Sequence, residues 1–257
     1  MKVLVKLGGT LLDEDGSRRR IASELAGLRA QGIRLAVVHG GGKQMTRFLA
    51  ERGVKSQFVR GLRVTTPEVI DAVLKVFAGS VNHQLVASFI AAGAAAVGLS
   101  GIDACLTEAE LLDPELGIVG RPVRGDARLL DILVEAGYLP VIACVAGDRS
   151  GNVYNVNADQ MAVACATSFQ AGHLCFLTDV DGVKDGEGHL LPHLTASEAK
   201  KLISDKIATG GMEAKLNAAC EALAGGVGSV RIASGALPNA VTRLVGNEEL
   251  GTRLVAG

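Results

Sequence analysis

The chain has 257 residues, of which 48% are hydrophobic and 21% charged, with a formal net charge of −1. That is enough apolar material for one large α/β domain, and it excludes a disordered chain. No basic field points to nucleic acid, so a small anionic ligand would have to be held by local donors.

Residues 3–7 read as a first strand, and 17–31 as a helix with Ile21, Leu25 and Leu28 on one side. A second strand spans 35–38, and a helix over 44–52 opens directly from His39-Gly40-Gly41-Gly42. Residues 53–66 form an extended excursion or hairpin. Thr66-Pro67-Glu68 then combines an N-cap, a proline at the first helical position and an early acid, which marks a new helix. Val69, Val73, Val76 and Phe77 give it an apolar stripe. A further helix over 81–91 leads to a strand at 94–99. Residues 105–111 and 118–123 flank Asp113-Pro114-Glu115-Leu116-Gly117 and pair as a hairpin. Asp126 caps a helix to Ala136, and 138–144 is a buried strand. Residues 147–156 make a polar turn and a returning strand, and a helix follows from Ala158. After a strand at 173–178, a turn-rich segment runs through Gly188. Thr195-Ala196-Ser197-Glu198 is a capping box, 213–224 a helix, 230–233 a strand and 238–245 a last helix. Strands alternating with helices predict a mostly parallel sheet covered on both faces.

Glycine stands at 33 residues and aromatics at only 3%, so the core is aliphatic and the loops are rich in close-approach positions. Cys105, Cys144, Cys165, Cys175 and Cys220 form no Cys-x-x-Cys pair, and their odd number does not suggest a disulfide framework. Buried, reduced thiols in a cytoplasmic protein are expected. The N-terminal apolar run is interrupted by Lys6, unlike a signal peptide, and the small-apolar stretch from Val86 to Leu99 is too short to span a bilayer.

Three glycine clusters carry the chemistry. Lys6-Leu7-Gly8-Gly9 closes the first strand, His39-Gly40-Gly41-Gly42 closes the second, and Thr209-Gly210-Gly211-Met212-Glu213-Ala214-Lys215 opens a helix. In open α/β sheets the C-terminal edge is where ligands bind, and helix N-termini favour anions there. Taken singly, each cluster could also be no more than a tight strand-to-helix turn. No P-loop, Gly-x-Gly-x-x-Gly, His-Glu-x-x-His or Gly-x-Ser-x-Gly pattern is present.

Together with Gly61-Leu62-Arg63-Val64-Thr65 and Asn155-Val156-Asn157-Ala158-Asp159, these segments resemble the amino acid kinase family over the whole chain. Within that family they resemble the branch that phosphorylates N-acetyl-L-glutamate. The resemblance implies a three-layer αβα sandwich in two lobes, residues 1–168 for the amino acid and dimerisation and 169–257 for the nucleotide. It implies ATP with Mg²⁺ as phosphoryl donor, and transfer to the substrate γ-carboxylate in arginine biosynthesis. Lys6 and Lys215 would stabilise the transferred phosphoryl group, with Asp159 holding both lysines; for Asp159 a helix N-cap remains the alternative. Gly8, Gly9 and Gly41 would donate amides to phosphate. Gly41, Gly42, Arg63 and Asn155 would bind the amino acid, with the Arg63 fork on its α-carboxylate. His39 is expected to be a structural hydrogen-bonding residue. The nucleotide would lie against Thr178, Asp179, Val180, Asp181, Gly182, Val183 and Lys184, with Ile207, Ala208, Thr209, Gly211 and Met212 opposite. No dedicated metal-ligand set is visible, so the ion would arrive with the nucleotide.

The rival readings are a kinase for a carrier-protein-linked aminoadipate or glutamate, and a catalytically inactive amino-acid-sensing module on the same fold. A homodimer is expected through the stripe of the helix at Pro67, although that stripe could equally pack on its own sheet. Arginine-inhibited family members carry a helix ahead of the first strand and a histidine after proline. This chain begins its first strand at Val3 and has Pro238-Asn239, so the expectation is a dimer without feedback inhibition by L-arginine, although Gly251-Thr252-Arg253 stands in the family-like position and leaves a residual weak arginine site as the alternative. A cytoplasmic protein without nucleic-acid or membrane partners completes the reading.

Overall fold

The computed structural model describes residues 1–256 and is built on one eight-stranded sheet. Its first strand, β1 (Lys2–Leu7), lies in the interior, paired in parallel with β2 (Arg34–His39) on one side and with the strand His173–Thr178 on the other. The chain next adds the antiparallel hairpin β3 (Phe58–Val59) and β4 (Leu62–Arg63), then β5 (Ala96–Ser100) at the sheet edge. β6 (Thr107–Leu111) and β7 (Val119–Gly125) form the expected hairpin. β8 (Leu139–Ala143) returns between β5 and β2. β9 (Val145–Gly147) and β10 (Val153–Val156) close a small barrel with β6 and β7. His173–Thr178 is β11, followed by β12 (His193–Thr195), β13 (Ser229–Ser234) and β14 (Thr252–Val255). The sheet order is β12-β14-β13-β11-β1-β2-β8-β5. The six strands from β13 to β5 are mutually parallel, and only β14, antiparallel to β13, and its neighbour β12 run the other way.

This topology follows from the residue patterns. The central strands are Val-, Leu- and Ile-rich runs buried on both faces, as parallel strands covered by helices must be. Alternation along β1 turns Lys2 and Lys6 to one face, where they meet Asp131 of the helix α6 (Arg128–Glu135) and Asp159 of the helix α7 (Ala158–Ser168). The opposite face is covered by α2 (Asp15–Ala30) and the long helix from Pro67 to Ala91. The chain leaves β1 toward β2 and leaves β11 toward β13. The crevice beyond their C-terminal ends is therefore a topological switch point.

The helix from Pro67 to Ala91 differs from the sequence expectation of two helices. It is continuous, because its middle, Leu74–Val81, widens into π-helical turns instead of breaking. By length and mean hydropathy it could cross a bilayer, yet Val69, Val73, Val76, Phe77, Val81, Leu85 and Phe89 are buried in the chain's own core. The stripe expected to pair two copies thus packs internally. β14 and β12 were also absent from the sequence reading, since short strands at a sheet edge carry little periodicity. Cys144, Cys165 and Cys175 are buried, whereas Cys105 is exposed.

The hairpin bearing Arg63 is tied to the small barrel through Thr65, whose amide donates to the Leu116 carbonyl while its own carbonyl accepts from Ile118. Gly117 makes this possible: its φ is +67°, and an added Cβ would lie 2.4 Å from the Thr65 carbonyl oxygen. Gly117→Ala should cost roughly 1–3 kcal/mol in urea denaturation through strain and overlap. Unchanged stability would show that this junction is soft.

Candidate active site

Three strand ends, two helices and one hairpin meet at the C-terminal edge of the parallel strands and enclose a cleft of about 700 Å³. Lys6, Gly8 and Gly9 come from the end of β1, Gly40 to Lys43 from the end of β2, and Thr178 and Asp179 from the end of β11. Ala158 and Lys215 enter on α7 and on the helix α9 (Gly210–Ala224). Phe58 and Arg63 come from the β3–β4 hairpin.

Lys6 and Lys215 converge on one carboxylate. Lys6 Nζ lies 2.7 Å from Asp159 Oδ1, and Lys215 Nζ lies 3.4 Å from Oδ2. The alternative role of Asp159 as a helix cap is occupied by Asn157, whose Oδ1 accepts from the amides of Asp159 and Gln160. Asp159 is thus free to face the lysines. Burial alone would push its carboxyl up; the two lysines outweigh that and hold it below the usual carboxylate range. The trio keeps a net charge of +1 at the cleft wall.

Arg63 is a second, unbalanced cation. It is 8% exposed, and among the described residues no carboxylate pairs with it. Its guanidinium donates to the Ser56 hydroxyl, to Gly42 O at 3.1 Å and to Thr46 Oγ1 at 2.9 Å, and it lies 4.7 Å from the centroid of the Phe58 ring. Burial lowers its pKa, and the groups that accept its hydrogen bonds are all neutral.

Three expected contacts fall differently. The Gly8 amide donates to Leu177 O at 2.9 Å, so it is not available to phosphate; glycine is required there because a Cβ would meet that same oxygen. Gly9, Gly41 and Gly42 line the cleft at helix starts, where first-turn amides lack intrahelical acceptors. Asn155 does not line the cleft: its Nδ2 donates to Thr65 Oγ1, which in turn donates to Arg63 O, so Asn155 braces the arginine segment. Val183 is fully buried, its amide donating to Thr252 Oγ1.

A neighbouring cavity of about 460 Å³ is lined by Asp179, Val180, Asp181, Gly182, Lys184 and Asp185 on one side and by Ile207, Ala208, Thr209 and Met212 on the other. It adjoins the main cleft at Asp179, while Thr178 belongs to the main cleft and Gly211 lines neither. Among the described residues no group of three or more His, Cys, Asp or Glu side chains forms a metal cage. The sequence reading missed Phe58, Lys43 and Thr46 as cleft residues. Lys43 and Thr46 lie within one turn of the glycine cluster, and that proximity was the available signal; nothing local marks Phe58.

His39 is wholly buried beneath the glycines. Burial lowers its pKa to about 4, partly opposed by its bond to the Gly40 carbonyl. A depressed folded pKa means that the unfolded chain takes up the proton first. Stability should be full above pH 6.5 and fall as the pH drops toward 4, by roughly 3 kcal/mol for this group. His173, also lowered by burial, acts in the same direction. Urea unfolding at several pH values checks this, and His39→Gln should flatten most of the slope. An equal slope in that variant would contradict the assignment.

Two loaded cations, free helix-start amides and an adjoining cavity define a class: a phosphotransferase site on a parallel α/β sheet. Residues 1–234 match the family model described as the amino acid kinase family, and the chain belongs to that family. It is 62% identical over 255 residues to the acetylglutamate kinase of Solibacter usitatus, covering 99% of each chain. It is 41% identical over 268 residues to the acetylglutamate kinase of Bartonella tribocorum, covering 99% of this chain and 89% of that one. Among solved structures, N-acetylglutamate synthase from Neisseria gonorrhoeae, complexed with coenzyme A and N-acetyl-glutamate, superposes with a TM-score of 0.88 at 27% identity. That match covers 100% of this chain and 59% of the synthase.

Proposed function

We infer that this chain transfers the γ-phosphoryl group of MgATP to the γ-carboxylate of N-acetyl-L-glutamate, the acetylglutamate kinase reaction of arginine biosynthesis. The observation that carries this is the convergence of Lys6 and Lys215 on Asp159 at a cleft that Arg63 also lines. The acceptor carboxylate, with a reference pKa of ~4.3, is already ionised and needs no general base. One of its oxygens attacks the γ-phosphorus while the bond to the bridging β-phosphate oxygen breaks, giving an acyl phosphate and ADP. The barrier is mutual repulsion of anions, so fixed positive charge and aligned donors supply the catalysis.

In this reading Lys6 and Lys215 bind the equatorial and leaving oxygens, and the Gly9, Gly41 and Gly42 amides add donors. Arg63 receives the α-carboxylate, with Asn155 acting on it through Thr65. The nucleotide lies in the cavity between Asp179–Lys184 and Ile207–Met212. Mg²⁺ would enter with the nucleotide phosphates and offset their charge. The division of labour follows, with residues 1–168 for the amino acid and 169–257 for ATP. Full-length identity to acetylglutamate kinases gives no support to a carrier-protein-linked substrate or to an inactive sensing module. A cytoplasmic homodimer completes the proposal; with the apolar stripe buried, its contact would use the other side of the long helix, where Leu74 and Ile90 are exposed.

ADP release measured with N-acetylglutamate, glutamate, aspartate and carbamate tests the substrate, and release independent of N-acetylglutamate would overturn it. Lys6→Ala and Lys215→Ala should each lower kcat by ~10²–10³, as loss of one preorganised donor does, in folded protein. Near-normal turnover in either would remove its role. Arg63→Ala should raise the KM for N-acetylglutamate far more than that for ATP. Equal effects on both substrates would point to a folding defect instead.

A further inference from the structure

Asn82 is the first residue after the π-helical stretch and is 2% exposed. Its Nδ2 lies 2.9 Å from the Val141 carbonyl of β8 and 3.0 Å from His39 Nε2 at the end of β2. Only an N–H can face a carbonyl, so this end of the amide is the nitrogen. Its second hydrogen faces His39 Nε2, with the Leu99 carbonyl a longer contact at 3.4 Å; an amide nitrogen cannot accept, so Nε2 is the acceptor. That leaves the imidazole proton on Nδ1, 2.8 Å from the Gly40 carbonyl oxygen. The tautomer and the direction of the relay are thus set by backbone carbonyls: Asn82 donates to His39, and His39 donates to Gly40.

The Gly40 carbonyl belongs to the Gly40–Gly41 peptide. In a planar trans peptide the C=O and the N–H point in opposite directions. Holding the carbonyl against His39, fully buried under the cleft floor, turns the Gly41 N–H the other way, and both glycines line the cleft. The same helix fixes the loop sterically: a Cβ on Gly41 would come 2.9 Å from Phe77 Cδ1, inside the π-helical stretch. On the far side, the space over Gly98 is filled by Asn82 Oδ1, which a Cβ there would meet at 2.0 Å. Resting on the phosphotransferase reading, we propose that Asn82 and His39 are positioning residues that lock the Gly40–Gly41 peptide with its N–H aimed at the transferred phosphoryl group. The π-helical stretch is the device that brings Asn82 into register with the sheet.

The test separates donor geometry from mere packing. Asparagine can place its amide nitrogen where His39 Nδ1 stands, whereas glutamine places its terminal atoms nearer Nε2. His39→Asn should therefore keep the bond to Gly40 and stay within about tenfold of the wild-type kcat. His39→Gln and Asn82→Leu should lose ~10²-fold in kcat, with both KM values changing by less than about threefold. Thermal unfolding confirms that each variant is folded. Equal activity of His39→Asn and His39→Gln, or normal kcat in Asn82→Leu, overturns the proposal. A readout independent of the acceptor is the ¹⁵N resonance of the Gly41 amide. It should shift on adding MgATP to the wild type and not to Asn82→Leu, and equal shifts in both overturn the proposal. A wild type that ignores N-acetylglutamate but shows this shift would instead overturn the substrate assignment alone.

Discussion

Two lysines held side by side at a cleft repel each other, a shared carboxylate relieves that repulsion, and the rest of the site is arranged around this interaction. Lys6 arrives on an interior strand and Lys215 on a helix near the other end of the chain. Asp159 bridges both from the first turn of α7, and it is free to do so because Asn157 caps that helix. Its charge is favoured there twice, by the lysines and by the helix N-terminus. With one carboxylate shared by two cations, the surplus positive charge is left for a ligand rather than cancelled.

The glycines around this trio serve distinct ends. Gly8 lets β1 run against β11 closely enough for its amide to reach Leu177. Gly41 admits the Phe77 ring, so that the long helix can press on the loop from below. Gly117 permits the crossing that hangs the Arg63 hairpin on the small barrel. Each close approach moves a charged or donating group to the crevice while its backbone stays hydrogen-bonded, which is why a cleft so rich in polar atoms can sit on an aliphatic core. Arg63 completes the pattern: it is braced by Ser56, Gly42 and Thr46, and among the described residues no acidic group balances it.

Much of this was legible in the residues. The apolar runs placed the central strands, the Thr195–Glu198 capping box forms as read, and the Lys6, Gly41 and Lys215 segments do meet at one sheet edge. Strong local periodicity and capping chemistry act over a few residues, so they survive without knowledge of the fold. Other features depended on neighbours far along the chain. The helix at Pro67 does not break near residue 81, because π-helical turns let it continue against the sheet. Gly8 lends no amide, because β11 claims it. Asn155 turned from ligand contact to brace for the same kind of reason: Thr65 lies within reach of its amide.

The sequence by itself determined the class of layers, the position of the chemistry at strand ends, and the charge types that an anionic substrate would meet. Those follow from period, composition and motif, which are properties of short segments. The tertiary structure alone decided which side chain each of those groups would face. Asp159 could have capped its helix or joined two lysines, and Val69 and Phe77 could have met a second copy or their own sheet. Such choices are settled by long-range packing, where burial requires every polar group to find a partner and every apolar stripe to find a surface.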